Sequence, residues 1–426
     1  ATGIEVTGEV AASQDYPNQR PALDFNFAAT KKLDPRITYQ RTGPASFVNE
    51  FGKVVKVGDN APRFDHDPTT RESKGLLIEE SRLNYIDNSN DLSQWNRNIN
   101  SSVNVANTTE TLSPEGINNS TKMTGGSNSG MSRDNIITLS ATTSYTASIF
   151  AKKGTTNSFR LELGQGAQQI VTIFNLDTKV FSSSAANGYF ASYSTSYVDY
   201  PNDWVRVILS GTTGGSVAGT VNFAVYGLSG GYAYFWGAQA EVGAFPTSLI
   251  PTNGSTATRG ADQTYIDGQD FLDFYNQTEG TVISSHSILP NIPSNHNLYT
   301  YQIAPTGNTA QAPLRILDKN SSIANSIAVA SVYNNGYSFL TLDTGNPVTV
   351  AGRKYVIAAS IKKDDYDAVF DGGDLLSDSS GDLYTADHIS IGYYKPSPQA
   401  YLNGHIQRLI YYPTKLTNNQ LKTITS

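Results

Sequence analysis

Few side chains in this sequence stand where they could do chemistry. Phe64-Asp65-His66-Asp67 sets an imidazole between two carboxylates, the most metal-like grouping in the chain. Successive residues of an extended chain point to opposite sides, so these groups do not readily share one ion, and the run reads as a structural turn. The other histidines, His286, His296, His388 and His405, have no serine or carboxylate at a spacing that signals nucleophilic catalysis, and there is no cysteine. Acidic residues gather in Asp364-Asp-Tyr-Asp367 and between Asp371 and Asp387. Two carboxylates are what glycoside hydrolysis requires. Asp is also favoured in hairpin turns, because it accepts local backbone hydrogen bonds, and that is the reading taken here. The sequence therefore assigns no catalytic residue and no metal ligand, and the chain is expected not to be an enzyme. Sugar recognition needs an aromatic face beside amide or carboxylate groups. Its candidates are Tyr232 and Tyr234 on one strand face, Trp95, and Tyr393 with Tyr394 in a Tyr-Tyr-Lys-Pro loop. Trp204 and Trp236 lie inside strand patterns and read as core.

These side chains must be positioned by strands. Of 426 residues only 16% are charged, and Asn, Ser, Thr, Gly and 25 Tyr fill the gap. Thr and Tyr suit pleated, half-buried strands, while Asn and Gly suit the turns between them. The net charge of −7 argues against nucleic acid, whose phosphates call for clustered Lys and Arg. Lack of cysteine removes disulfides, thiol catalysis and Cys-bound zinc. No apolar run approaches the length of a membrane helix, and Ala-Thr-Gly-Ile-Glu-Val has no secretion-signal pattern, so no membrane insertion is expected. Ala1 is the expected first residue after removal of an initiator Met.

Alternating runs bounded by turn residues recur along the chain. Ser144-Tyr-Thr-Ala-Ser-Ile-Phe-Ala-Lys152 alternates, as do Phe159-Arg-Leu-Glu-Leu163, Trp204-Val-Arg-Val-Ile-Leu209 and residues 220–226 and 232–241. A second series runs from Gly280-Thr-Val-Ile-Ser-Ser285 to His405-Ile-Gln-Arg-Leu-Ile-Tyr-Tyr412. The fold expected is all-β: two consecutive antiparallel β-sandwiches, of jelly-roll and concanavalin-like type, behind an extended N-terminal attachment segment. The boundaries expected are 1–80 for that segment, 81–252 and 268–426 for the sandwiches, and 253–267 for a Pro-, Gly- and Ser-rich linker. Thr417 before Leu421 and Ile424 predicts one short, N-capped helix.

The blocks Leu23-Asp-Phe-Asn-Phe-Ala28, Tyr39-Gln-Arg-Thr-Gly-Pro-Ala-Ser46, Pro62-Arg-Phe-Asp-His-Asp-Pro68, Gly75-Leu-Leu-Ile-Glu-Glu-Ser-Arg-Leu-Asn84 and Asn90-Asp-Leu-Ser-Gln-Trp95 fall in order along the chain. With Tyr234-Phe-Trp-Gly-Ala-Gln-Ala-Glu241 and Phe245-Pro-Thr-Ser-Leu-Ile-Pro251 they resemble a jelly-roll, carbohydrate-binding-like module of bacteriophage tail-fibre and related virion structural proteins. Ala368-Val-Phe-Asp-Gly-Gly-Asp-Leu-Leu-Ser377 and Asn403-Gly-His-Ile-Gln-Arg-Leu-Ile-Tyr-Tyr-Pro413 resemble the hairpin and last strand of a concanavalin or laminin-G-like lectin sandwich. The resemblance implies a virion protein made in the bacterial host cytoplasm, acting as a tail-fibre or receptor-binding subunit. Its N-terminal segment would dock to other virion proteins and its sandwiches would adhere to a host surface polysaccharide. A capsid head-decoration protein is the rival reading and a glycan-degrading tailspike the third. The resemblance also implies a homo-oligomer, expected to be a trimer, held by sandwiches and arms because no coiled coil is visible. No cofactor is expected, with a structural Ca2+ as the alternative, in the 371–387 region or near Asp87 and Asp91.

Overall fold

The computed structural model describes residues 17–227, 230–289, 292, 298–306, 314–319, 326–333, 336–343, 353–395 and 400–426. His296 lies outside them. The protein is all-β, as expected; among the described residues helix is confined to Phe27–Thr30, Gly268–Leu272 and Asn418–Thr425, with a 3-10 turn at Leu92–Gln94. The last α-helix carries the expected Thr417 cap: its side chain accepts from Gln420 N, and Gln420 returns the bond to Thr417 N.

The chain divides into two compact units. One comprises residues 1–40, 74–80 and 262–426; the other comprises 41–73 and 81–261. The backbone therefore passes from one unit to the other after residues 40, 73, 80 and 261.

In the second unit two six-stranded antiparallel sheets form a sandwich. One sheet runs Phe190–Tyr200, Trp204–Thr213, Ser144–Lys153, Gly231–Val242, Thr121–Gly125, Val103–Val105. The other runs Val180–Ala186, Gln168–Asn175, Ser158–Gln165, Thr220–Gly227, Ser129–Thr138, Arg97–Ile99. The period-2 patterns read from the sequence are the ones that close the core. Tyr145, Ala147, Ile149 and Ala151 face Phe159, Leu161 and Leu163 within one apolar cluster. A second cluster on the outer side of the first sheet gathers Val54, Phe150, Trp204, Trp236 and Leu249, so both tryptophans are core residues.

The other unit has one sheet in the order Leu376–Asp378, Asp365–Phe370, Tyr355–Lys362, Glu279–Ile288, Gly404–Tyr412, Ser73–Ile78. Leu23–Phe25 also pairs with Gly404–Tyr412, placing Leu23 opposite Tyr411 and Phe25 opposite Leu409. Its second sheet runs Thr38–Gln40, Gln263–Asp267, His388–Ile391, Leu298–Ala304, Leu314–Lys319, Ser326–Tyr333, Gly336–Asp343.

Residues 17–80, expected as part of an attachment segment, are thus built into both units. Leu76, Leu77 and Ile78 are fully buried, and Leu77 registers with His405. Short strands that cannot close a core of their own are completed by strands distant in sequence.

One polar network holds the second unit at its turn 243–251. Glu241, fully buried, accepts from Thr247 N at 3.0 Å, Thr247 Oγ1 at 2.8 Å and Gln239 Nε2 at 2.8 Å. Gln239 Oε1 accepts from Ile250 N at 2.7 Å. Arg206 donates to Thr247 O and Ser148 Oγ, both at 2.9 Å. Arg63 Nη1 and Arg259 Nη1 both reach Ser248 Oγ, at 2.6 and 3.2 Å, and Ser46 Oγ donates to Leu249 O at 2.6 Å. Asn84 Nδ2 donates to Ala238 O and Ile250 O, while its Oδ1 accepts from Ala240 N and Ile86 N.

Removing one member of a buried charged network strands its partners without solvent. Glu241→Ala is expected to lower the unfolding free energy by at least ~3 kcal/mol, read from urea denaturation. A chain starting at residue 81 is expected not to reach the native state, because it loses Leu23–Phe25, the strand Ser73–Ile78 and the buried Arg41 and Arg63. Near-UV circular dichroism of that truncation checks this, and a native-like spectrum would refute it.

Candidate functional site

Burial separates the five aromatics proposed from sequence. Trp95, Tyr234 and Tyr393 are 5%, 6% and 2% exposed. The expectation that they offer open faces to a sugar is corrected for these three. Trp95 packs edge-on against Phe223 and donates Nε1–H to Asn88 O at 3.1 Å. Tyr393 stacks on Tyr401, 5.9 Å away, and the two residues also pair as an isolated antiparallel bridge. Tyr394 remains half-buried and stacks on Tyr299 at 4.9 Å.

Tyr232 and Tyr234 do form a pair, edge to face at 5.6 Å, on the outer side of the first sheet of the second unit. The Lys122 ammonium lies 4.1 Å from the Tyr232 ring centroid and also binds Glu110 Oε1 at 2.7 Å. Tyr234 Oη donates to Glu110 Oε2 at 2.8 Å. The Lys122 and Tyr234 hydrogen bonds hold the Glu110 carboxyl below its usual range, while burial and then Glu110 push the Tyr234 phenol up. One face of the Tyr232 ring thus carries an ammonium, and the Tyr234 hydroxyl is held by Glu110.

The opposite sheet places a different group outward. Phe159, Leu161 and Leu163 point into the core, so Arg160 and Glu162 share the outer face. Register sets Tyr226 beside Arg160 and Ala224 beside Glu162; Ser132 follows next to Ala224. Ser132 and Ala224 are small and buried, whereas Arg160, Gln169 and Tyr226 beside them are half-buried and taller. The result is a shallow polar depression on rigid strands. Glu162 anchors it, accepting from Arg160 Nη2. With its nitrogen assigned toward the carboxylate, Gln169 donates to both Glu162 oxygens, at 2.9 and 3.0 Å. The Arg160 guanidinium lies 4.7 Å from the Tyr226 ring centroid, and its Nε has no hydrogen-bond partner. Arg⁺ and Glu⁻ cancel, so the cluster suits hydroxyl-rich ligands rather than free anions. Sequence reasoning passed over these residues because polar residues alternating with core residues read as a solvated face. The signal available was Arg160 and Glu162 two apart on a strand.

The acidic groups serve local structure. Asp65 Oδ1 accepts from Val48 N at 2.6 Å, and His66 Nδ1 lies 3.1 Å from Val48 O; the run serves structure, but as the strand Phe64–His66 rather than the turn expected. Asp371 accepts from Val356 N at 2.7 Å and from Arg353 Nη2 at 2.8 Å. Burial opposes ionisation of Asp87, but its bidentate pair with Arg133 outweighs that and lowers its pKa. Asp91 caps the 3-10 turn through Ser93 N. Among the described residues no three His, Asp or Glu side chains gather as metal ligands.

No family model matches the chain, and no curated protein matches it in sequence. It is similar in structure to the CBM40 domain of a Ruminococcus gnavus IT-sialidase bound to α2,6-sialyllactose, with 14% identity, a TM-score of 0.29, and 37% of this chain and 88% of that one covered. It is similar to Trypanosoma rangeli sialidase in complex with the inhibitor DANA, at 11% identity and a TM-score of 0.27 over 65% of this chain; it spans only 61% of that protein. Mouse laminin α1 domains LG4-5 align at 10% identity and a TM-score of 0.25, over 68% of this chain and 88% of theirs. The expectation of a non-enzymatic protein is corrected by this finding, since several of the similar structures are sialidases. Likeness at these TM-scores assigns no activity in its place.

Of the described histidines, His388 carries a defined pH signature. Its side chain is fully buried beside Asp387 Oδ1 at 2.9 Å. Burial lowers its pKa from the usual 6.5 and outweighs the opposing Asp387 carboxylate; nearby Lys395 lowers it further and Asp267 opposes. Unfolding therefore takes up a proton below pH 6.5, so this stability is full above 6.5 and lost as pH falls toward the depressed value. The urea midpoint is expected to fall with pH in that window, and less steeply in His388→Asn. Equal slopes for the two proteins would refute the assignment.

Proposed function

We propose that the protein is a glycan-adhesive virion subunit that meets a neutral stretch of host surface polysaccharide on the Arg160–Glu162–Gln169–Tyr226 face. The observation that carries this is the anchored cluster itself. Glu162 fixes Arg160 and Gln169 in place, and the Arg160 guanidinium is held over one face of the half-buried Tyr226 ring. Preorganised donors beside an aromatic ring are what shallow sugar subsites use. The ordered sequence blocks between residues 23 and 251 support the virion setting. A shallow site binds weakly, so adhesion would rest on many tethered copies at high effective concentration.

Arg160→Gln, which keeps a donor for the buried Glu162, and Tyr226→Ala are each expected to weaken retention on immobilised bacterial surface polysaccharides at least tenfold, with near-UV circular dichroism reporting an intact fold. Surface plasmon resonance over a polysaccharide panel measures this. Binding by the wild type that both variants retain would move the site elsewhere. Particle adsorption that excess purified protein does not block would favour the head-decoration role.

A further inference from the structure

The sandwich of the second unit is finished differently at its two sides. On one side the outermost strands, Arg97–Ile99 and Val103–Val105, have three residues each. On the other they are Val180–Ala186 with seven residues and Phe190–Tyr200 with eleven. Short strands, lysines, prolines and bulges are the usual protection of a sheet edge. Phe190–Tyr200 has no Lys and no Pro, and its pairing with Trp204–Thr213 is irregular only between Phe190 and Ser192. Its far end is covered, because Thr69 Oγ1 donates to Asp199 O at 3.2 Å.

Two further features concern what would pair there. Tyr193, Thr195 and Tyr197 register with Gly211, Leu209 and Val207, which places them on the core side of the sheet. Tyr197 touches Phe174 and Phe181 of the opposing sheet, yet it is 37% exposed and Tyr193 is 44% exposed. Core-facing aromatics are left open because the two sheets end beside them. In addition, Tyr193-Ser194-Thr195-Ser196-Tyr197 reads the same in both directions, and residues 190–198 contain no charge.

We infer that this edge docks a second copy of the same chain, strand 190–200 against strand 190–200, antiparallel about Thr195. A twofold axis normal to the sheet keeps core face beside core face, so the sandwich would run on from copy to copy. Tyr193 of each copy then faces Tyr197 of the other, aromatic against aromatic across the strands. No like charges meet, since Asp199 falls opposite Ala191 and is paired with Lys179 at 3.4 Å. The open edge from Ser192 to Val198 is about 24 Å long, across sheets about 10 Å apart. That gives a few hundred Å² per partner, on the order of half or less of the ~800 Å² of a standard interface. The dimer is therefore transient, and it is a twofold contact where the sequence led us to expect a trimer.

Sedimentation equilibrium of the full chain, at concentrations up to about 1 mM, is expected to show a reversible dimer. Thr195→Lys sets two ammonium groups at the axis and should weaken that dimer at least tenfold, with near-UV circular dichroism reporting an intact fold. The chain lacks cysteine, so Thr195→Cys should cross-link to itself with a short bismaleimide. Val103→Cys, on the opposite edge and 62% exposed, should not. If Thr195→Lys does not fold, the cross-linking comparison decides. A wild type that stays monomeric, a trimer, a dimer indifferent to Thr195→Lys, or equal cross-linking of the two cysteine variants would each overturn the inference.

Discussion

The buried carboxylate of Glu241 is the constraint on which the second unit depends. A charge this deep is tolerated only when its lone pairs are filled by well-placed donors. Thr247 and Gln239 supply them, and both are fixed in turn by Arg206, Ser148 and Ile250. Around the same turn sit Arg63, Arg259, Ser46 and Asn84. These residues come from sequence stretches far apart; the turn's backbone meets Arg206, Ser46, Asn84, Gln239 and Glu241, and its Ser248 hydroxyl meets Arg63 and Arg259. Five of the ordered sequence blocks acquire a physical meaning here, since 39–46, 62–68, 75–84, 234–241 and 245–251 bring Ser46, Arg63, Asn84, Gln239 with Glu241, and the turn itself into one hydrogen-bonded clamp.

Strands were legible because burial imposes a period of two. Phe159, Leu161 and Leu163 announce both their strand and its inner face, and the capped helix was readable from Thr417, Leu421 and Ile424. Partnership was not legible. Nothing local in Leu23-Asp-Phe says that its neighbour is the strand at Leu409–Tyr411, since that choice is made by long-range pairing. The unit boundary at 261/262 lies inside the stretch read as a linker, but residues 17–80 had to be seen in three dimensions to be divided between the units.

The candidate site was the least legible part. Aromatic residues were sought as sugar platforms, and Trp95, Tyr234 and Tyr393 proved to be structural. Large rings are where a sandwich gains most apolar area, and a phenol or indole N–H finds a backbone or carboxylate partner at the rim. Conversely, Arg160 and Glu162 look like ordinary outward residues. Only register, which adds Gln169, Tyr226, Ala224 and Ser132 from neighbouring strands, turns them into a constellation.

The strand Gly404–Tyr412 accepts both Leu23–Phe25 and the end of Ser73–Ile78. During synthesis those early strands leave the ribosome with nothing to pair with. At about 5–20 residues per second, their partner appears roughly 20–80 s later. The second unit, complete once residue 261 has emerged, can close in the meantime. The strand Gly404–Tyr412 then decides whether the earlier strands are ever protected. For this chain a stalled or prematurely ended translation product is a folded unit carrying loose apolar strands, the kind of species that cellular quality control recognises.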